Sequence, residues 1–180
     1  GVKAGTISHG QMWAILPQTW LGNLVGSVFV ALLYSWGGGS LLPVDTSIVH
    51  SVALAKTTAP ATVLFFKGAL CNWLVCLAIW MAIRTEGAAK FLAIWWCLLA
   101  FIASGYEHSV ANMTLFALSW FGHHSEAYTL SGIGHNLLWV TLGNTLSGVV
   151  FMGLGYWYAT PKSERPAPAK INQPEAAANN

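Results

Sequence analysis

The chain has 180 residues, 55% hydrophobic and only 8% charged, where an ordinary soluble domain is roughly a quarter charged. With ten Trp, eight Phe and five Tyr and a mean hydropathy of +0.55, this composition excludes a soluble globular protein, and a net charge of +2 is too small to point to nucleic acid. Cys71, Cys76 and Cys97 all lie inside apolar runs and read as small buried hydrophobes, not as a disulfide framework or a metal-binding pair. The chain opens on Gly1 with no signal-peptide pattern ahead of the first apolar run, so it is expected to be a piece of something longer.

A hydrocarbon core about 30 Å thick needs about 20 mostly apolar residues in a helix, and four windows approach that length. The first, 12–36, carries no charge. The second, 60–83, is interrupted only by Lys67, close enough to one end for its ammonium to snorkel. The third, 91–121, reads FLAIWWCLLAFIAS, meets a polar stretch from Gly105 to Asn112 and resumes as MTLFALSWF, which predicts a broken helix around 105–112. The fourth, 137–158, is uncharged and has Trp139 near its start and Tyr156, Trp157 and Tyr158 at its end as interfacial anchors. Residues 1–160 are thus expected to form a membrane domain and 161–180, rich in Pro, Ala, Lys, Glu and Asn, a disordered tail.

Four spans place both chain ends on one side. Lys3, Arg84, Lys90, Lys162, Arg165 and Lys170 share that side, six of the eight basic residues, so it is expected to be cytoplasmic and the tail with it. The opposite face receives Lys56, Lys67, Asp45, His50, His123, His124 and Glu126.

Shifting the first span by 121 lays Leu21-Gly22-Asn23 on Leu142-Gly143-Asn144, Val28 on Val149, Leu33 on Leu154 and Trp36 on Trp157. Copies three spans apart cross the membrane in opposite directions, the pattern of an inverted three-helix repeat. The same shift puts the counterparts of the second and third spans before Gly1, so this chain would lack two spans of six. Coincidence between two Gly-rich helices is the alternative.

Ionisable residues in hydrocarbon are costly, which makes Glu107 and His108, adjacent in the break, candidates for function. A broken helix frees backbone N–H groups, and the next half-helix presents them with a positive partial charge. An imidazole there can donate to an anion or exchange a proton near neutral pH; it can equally be a satisfied buried histidine. Asn144, Asn23 and Asn72 are either ligand contacts or helix-to-helix hydrogen bonds. Lys56 is either a solvated lysine or a charge at a pore mouth that concentrates anions. Leu98, Leu99 and Phe101 can form a hydrophobic constriction or plain core. His123, His124 and Glu126 have no metal-ligand spacing, and neither a metal nor a cofactor is expected.

The segments Lys67-Gly68-Ala69-Leu70-Cys71-Asn72-Trp73-Leu74-Val75-Cys76-Leu77-Ala78, Tyr106-Glu107-His108-Ser109-Val110-Ala111-Asn112-Met113 and Gly143-Asn144 resemble the formate/nitrite transporter family, most closely its bacterial nitrite branch, over its last four of six helices. The resemblance implies an all-α, aquaporin-like fold, a homopentamer with a pore in each protomer, and location in the bacterial inner membrane. It implies passage of nitrite or a related small anion linked to protons, with no enzymatic activity. It also implies a central pore histidine in His108, with Asn144 hydrogen-bonded near it and Glu107 beside it, Lys56 in the periplasmic vestibule with Asn72 nearby, and Phe101 at a constriction. Two rivals remain at this point. A haem-binding redox subunit needs facing histidine pairs inside the membrane, and a neutral-solute channel of the same architecture leaves the Glu107-His108 pair without a role.

Overall fold

The computed structural model describes residues 2, 7–39, 48–122 and 124–165, and all regular structure among them is helical. Helix α1 spans His9–Trp36, α2 Ile48–Thr57, α3 Ala61–Arg84, α4 Gly87–Ala103, α5 Ser109–Phe121 and α6 Leu130–Leu146. The last helix continues through a π-helical segment, Ser147–Leu154, into α7, Gly155–Ala159, and a 3₁₀ turn follows at Lys162–Glu164. Among the described residues three helices are long and apolar enough to cross a membrane: His9–Trp36, Ala61–Arg84 and the continuous Leu130–Ala159. At 17 and 13 residues, α4 and α5 rise only about 25 and 20 Å at 1.5 Å per residue, so neither crosses alone.

Capping chemistry explains where the helices begin. Ser8 and Gln11 close a reciprocal capping box on α1 (Gln11 N to Ser8 Oγ 3.1 Å, Ser8 N to Gln11 Oε1 2.8 Å). The Thr129 hydroxyl accepts from Gly132 N at 3.2 Å and starts α6. The fourth span therefore begins at Leu130, seven residues before the expected Leu137, and Leu137 is buried inside the helix. Ser131, His135 and Asn136 had lowered the hydropathy of that turn, but they hydrogen-bond to protein groups, Asn136 without any exposure. The short helix α2 was not foreseen, and the first turn of the expected tail is ordered, Arg165 donating to the carbonyls of Thr160 and Tyr158. Asp45, His123, Lys3, Lys170 and the tail beyond Arg165 lie outside the described residues.

Helix α3 packs most extensively on α6 and then on α4, α1 lies on α5, and α2 lies on α5 and α6. The α3–α6 crossing is close because two glycines meet it. A Cβ on Gly143 would collide with the Phe65 carbonyl and lie 2.9 Å from Ala69 N, and one on Gly68 would lie 2.8 Å from the Val140 carbonyl. Small residues at such a crossing replace the hydrophobic driving force that lipid cannot supply. Helix α1 is bound to its neighbours by Thr114 Oγ1 to Ser27 Oγ at 3.0 Å and by Trp20 Nε1 to Thr141 Oγ1 at 3.1 Å. Its outer face, including Trp13, Val25, Phe29 and Trp36, is exposed and apolar.

Candidate functional site

The break narrows to five residues, Ser104 to His108, and its first half is a Schellman motif. Gly105, at φ +62°, occupies the left-handed position that favours glycine; its N–H reaches the Ile102 carbonyl and the Tyr106 N–H the Phe101 carbonyl, both at 3.1 Å. This stops α4 at Ala103, where the chain from Ile102 to Gly105 is exposed, with the carbonyls of Ala100, Phe101 and Ile102 satisfied. Three residues later α5 starts, so Ser109 to Asn112, expected to belong to the irregular stretch, are instead its first turn.

His108 is the N-cap of α5. Its Nδ1 accepts from the Ala111 N–H at 3.4 Å, and its carbonyl accepts from Asn112 N at 2.9 Å. A neutral imidazole with Nδ1 as acceptor carries its proton on Nε2. The half-buried ring lies 6.1 Å from the Phe101 ring at 34°, the last full turn of α4 thus facing the first turn of α5. Among the described residues no protein acceptor takes the N–H of His108 or of Val110.

Asn144 holds both sides of the break to α3 and α6. Its Oδ1 accepts from Ser109 N (3.1 Å), and its Nδ2 donates to the carbonyls of Glu107 (3.1 Å) and Gly68 (2.8 Å). Glu107 N in turn donates to the Lys67 carbonyl at 3.4 Å. The amide is fully used on backbone, so Asn144 sets the position of His108 from both neighbours. Asn72 joins through Asn144, donating to its carbonyl at 2.6 Å, and not through Lys56 beside which it was expected. Its partner carbonyl lies just before the π-helical segment, where a Cβ on Gly148 would sit 2.7 Å from Asn72 Nδ2. Asn23, the repeat-related counterpart of Asn144, bonds within its own helix to the Thr19 carbonyl.

Lys56, read either as a solvated lysine or as a charge at a pore mouth, is found in an ion pair. Its Nζ is 2.8 Å from Glu107 Oε1, with the two side chains 19% and 5% exposed. The second carboxylate oxygen accepts from Asn112 Nδ2 at 2.6 Å. Asn112 also donates to Asn136 Oδ1 at 2.9 Å, and Asn136 Nδ2 closes the circuit on the Lys56 carbonyl at 2.9 Å. The charge of Lys56 is therefore largely neutralised by Glu107, and the circuit anchors α2 to α5 and α6. Asn112 and Asn136 were missed as members of it; the signal present in the sequence was an amide set among apolar residues in each of the two helices.

Leu98 and Leu99 are partly exposed on α4, whereas Phe101 alone of the three apolar residues meets His108. His124 stacks on Trp120 with centroids 5.0 Å apart, and His135 is hydrogen-bonded to the Ala59 carbonyl at 3.2 Å. A cavity of about 180 Å³ between α1, α5 and α6, lined by Leu24, Val28, Phe116, Trp120 and Leu137 among others, is almost wholly apolar.

Three helices long and apolar enough to cross a membrane, and two shorter apolar helices separated by a break that a histidine caps and an asparagine clasps, are the marks of a membrane protein built around a broken helix. Residues 1–158 match the formate/nitrite transporter family, and the chain belongs to that family. It is 98% identical over 180 residues to the nitrite transporter NirC of Salmonella typhimurium, covering 100% of this chain and 67% of that protein. Among solved structures it is similar to an FNT family ion channel (TM-score 0.88, 98% identity, 89% of this chain and 65% of that one). It is also similar to a pentameric formate channel with formate bound (TM-score 0.69, 28% identity, 86% and 69%). The chain spans about two thirds of the length of these relatives.

Proposed function

We propose that the protein is a membrane channel for small monovalent anions, with nitrite as its substrate, working as one pore per protomer of a homopentamer in the bacterial inner membrane. The observation that carries this reading is His108 at the N-terminus of a half-helix, where Nδ1 accepts from Ala111 and so leaves the neutral ring's proton on Nε2, with the neighbouring Val110 N–H lacking a protein acceptor among the described residues. These donors and the helix dipole favour an anion, and Phe101 beside them strips its water. The nitrite assignment rests on the relative of 98% identity, and the pentamer on the neighbour described as pentameric. Both chain ends are assigned to the cytoplasm by the distribution of basic residues.

The inverted repeat is part of this proposal. Trp20 and Thr141, hydrogen-bonded to each other, are separated by the same 121 positions as the repeat. Residues related by a pseudo-two-fold axis touch where that axis passes between them, so the contact supports an axis running between α1 and α6 at this level. The two counterpart spans would precede Gly1 in the whole protein and supply the other wall of the pore.

In the proton-linked route an arriving anion meets Nε2–H, a proton reaches His108 from solvent, and the anion leaves with the Nε2 proton as its neutral acid. Protonation of Nδ1 in that step breaks the Ala111 bond, and the cap re-forms when the ring, left as the Nδ1–H tautomer, releases that proton and takes one from solvent at Nε2. In the simpler route His108 stays neutral and the anion passes charged. His108→Asn separates the two, because Asn is itself a strong N-cap and keeps α5 closed while removing the titration. In proteoliposomes the assembled variant is expected to pass anion as current with weakened coupling to the pH gradient. Wild-type coupling in that variant would exclude the relay, and loss of all flux in an assembled pentamer would leave His108 as an obligatory donor.

A further inference from the structure

The end of α3 and the end of the last span form a cluster of arginine and aromatic groups remote from the break. Trp80 of α3 packs on Tyr156 of α7 with centroids 4.5 Å apart, and the guanidinium carbon of Arg84, one turn beyond Trp80, sits 4.0 Å over the Trp80 ring. Next to Tyr156, Trp157 carries the guanidinium of Arg165 at 5.3 Å.

The two arginines are used differently. Arg165 donates Nε and Nη2 to the carbonyls of Thr160 and Tyr158, so it caps the end of α7. Arg84 is exposed, and among the described residues neither a carbonyl nor a carboxylate accepts from it. Its planar fork is thus fixed by an indole with its five N–H donors unspent. Glu86, two residues on, makes no ion pair with it, and Lys162 adds an exposed cation after the last span.

A guanidinium held flat at the end of a membrane helix matches a phosphate in a bidentate pair. Ile79 and Ile83 lie four residues apart on the neighbouring stripe of α3 and are 56% and 74% exposed. A soluble anion has no use for that apolar surface, whereas acyl chains lie along it. We propose that Arg84 binds the headgroup phosphate of an anionic phospholipid, with the acyl chains running along Ile79 and Ile83 and Trp80 fixing the guanidinium. The site does not depend on which anion the pore carries.

The test uses the full-length protein in detergent, titrated with phosphatidylglycerol or phosphatidylcholine and followed by native mass spectrometry and thermal unfolding. Wild type is expected to retain phosphatidylglycerol preferentially and to be stabilised by it more than by phosphatidylcholine. Arg84→Gln should weaken phosphatidylglycerol retention about tenfold, the scale of one charge-assisted pair, and leave phosphatidylcholine retention unchanged. Trp80→Leu should give an intermediate loss, and Lys90→Gln, an exposed cation outside the cluster, little. Unfolding temperatures without added lipid show whether each variant is folded. Equal retention of the two lipids by wild type, an equal loss in Lys90→Gln, or displacement of the lipid by inorganic phosphate would each overturn the proposal.

Discussion

The Lys56–Glu107 pair is the point where burial and charge make the largest demand. At 2.8 Å the attraction is about 6 kcal/mol for an effective dielectric constant near 20, but desolvation of a carboxylate only 5% exposed consumes much of it. The net worth of the pair is therefore small, while the cost of breaking it from one side is not. Lys56→Met leaves the Glu107 carboxylate with Asn112 Nδ2 as its one side-chain donor and should destabilise the protein by about 3–5 kcal/mol. Glu107→Gln strands the ammonium, which is 19% exposed and can recruit water, and should cost less. The double variant removes both charges and should recover about 2 kcal/mol relative to the sum of the singles. Unfolding by SDS in mixed micelles, with size measured for assembly, gives the four corners of the cycle. If the two single costs add to within about 0.5 kcal/mol, the residues are not coupled and the reasoning is wrong. Lys56→Glu should be the worst variant, since it sets two carboxylates where the ion pair stood, and its defect should persist at high salt because the site is shielded from the screening that acts over about 8 Å in solution.

Gly143→Ala forces a methyl group against the Phe65 backbone, which cannot rotate away, so α3 and α6 must part at a cost of about 1–3 kcal/mol; flux should fall with it, because Asn144 moves with the crossing. Gly22, its repeat-related counterpart, has nothing within 4 Å among the described residues; if a preceding helix packs on α1 as α3 packs on α6, Gly22→Ala in the full-length protein should be similarly harmful, and a neutral effect there counts against the inverted repeat. Burial holds the Tyr128 phenol above its ordinary value, against a smaller opposing effect of the Ser119 hydroxyl, and its OH donates to the Phe116 carbonyl at 2.9 Å. The folded state thus disfavours the phenolate, its contribution is complete below about pH 10, where a free tyrosine ionises, and is lost as pH rises above that. Tyr128→Phe should cost about 1 kcal/mol at neutral pH and flatten the alkaline decline, and an unchanged decline in unfolding temperature between wild type and variant would refute this. Finally, cysteines at Arg84 and Ser163 should react with impermeant thiol reagents only from the cytoplasm and one at His124 only from outside; reversed labelling would invert the orientation.

The composition and the run lengths alone determine that the chain is a set of membrane helices, because hydrocarbon tolerates no unpaired backbone and few charges. The interruption after Ser104 was equally legible, since a glycine followed by Tyr106-Glu107-His108 inside an apolar run marks a helix that must stop, and the Schellman geometry at Gly105 realises it. The family motifs are local strings, so the segments around Asn72, Glu107-His108 and Asn144 could be singled out before any coordinates. What a side chain does once the chain has folded is a different matter. Lys56 and Glu107 are 51 positions apart and Asn112 and Asn136 are 24 apart, and no periodicity in one helix announces its partner in another. The same limit hid the start of α6, whose polar residues look like loop until their protein partners are seen, and the short α2, which has meaning only as the strut that carries Lys56 to the break. Hydropathy along a chain measures each residue against lipid or water. Tertiary structure decided which polar groups found each other instead, because a buried hydrogen bond or ion pair is a property of two residues and is encoded in neither one alone.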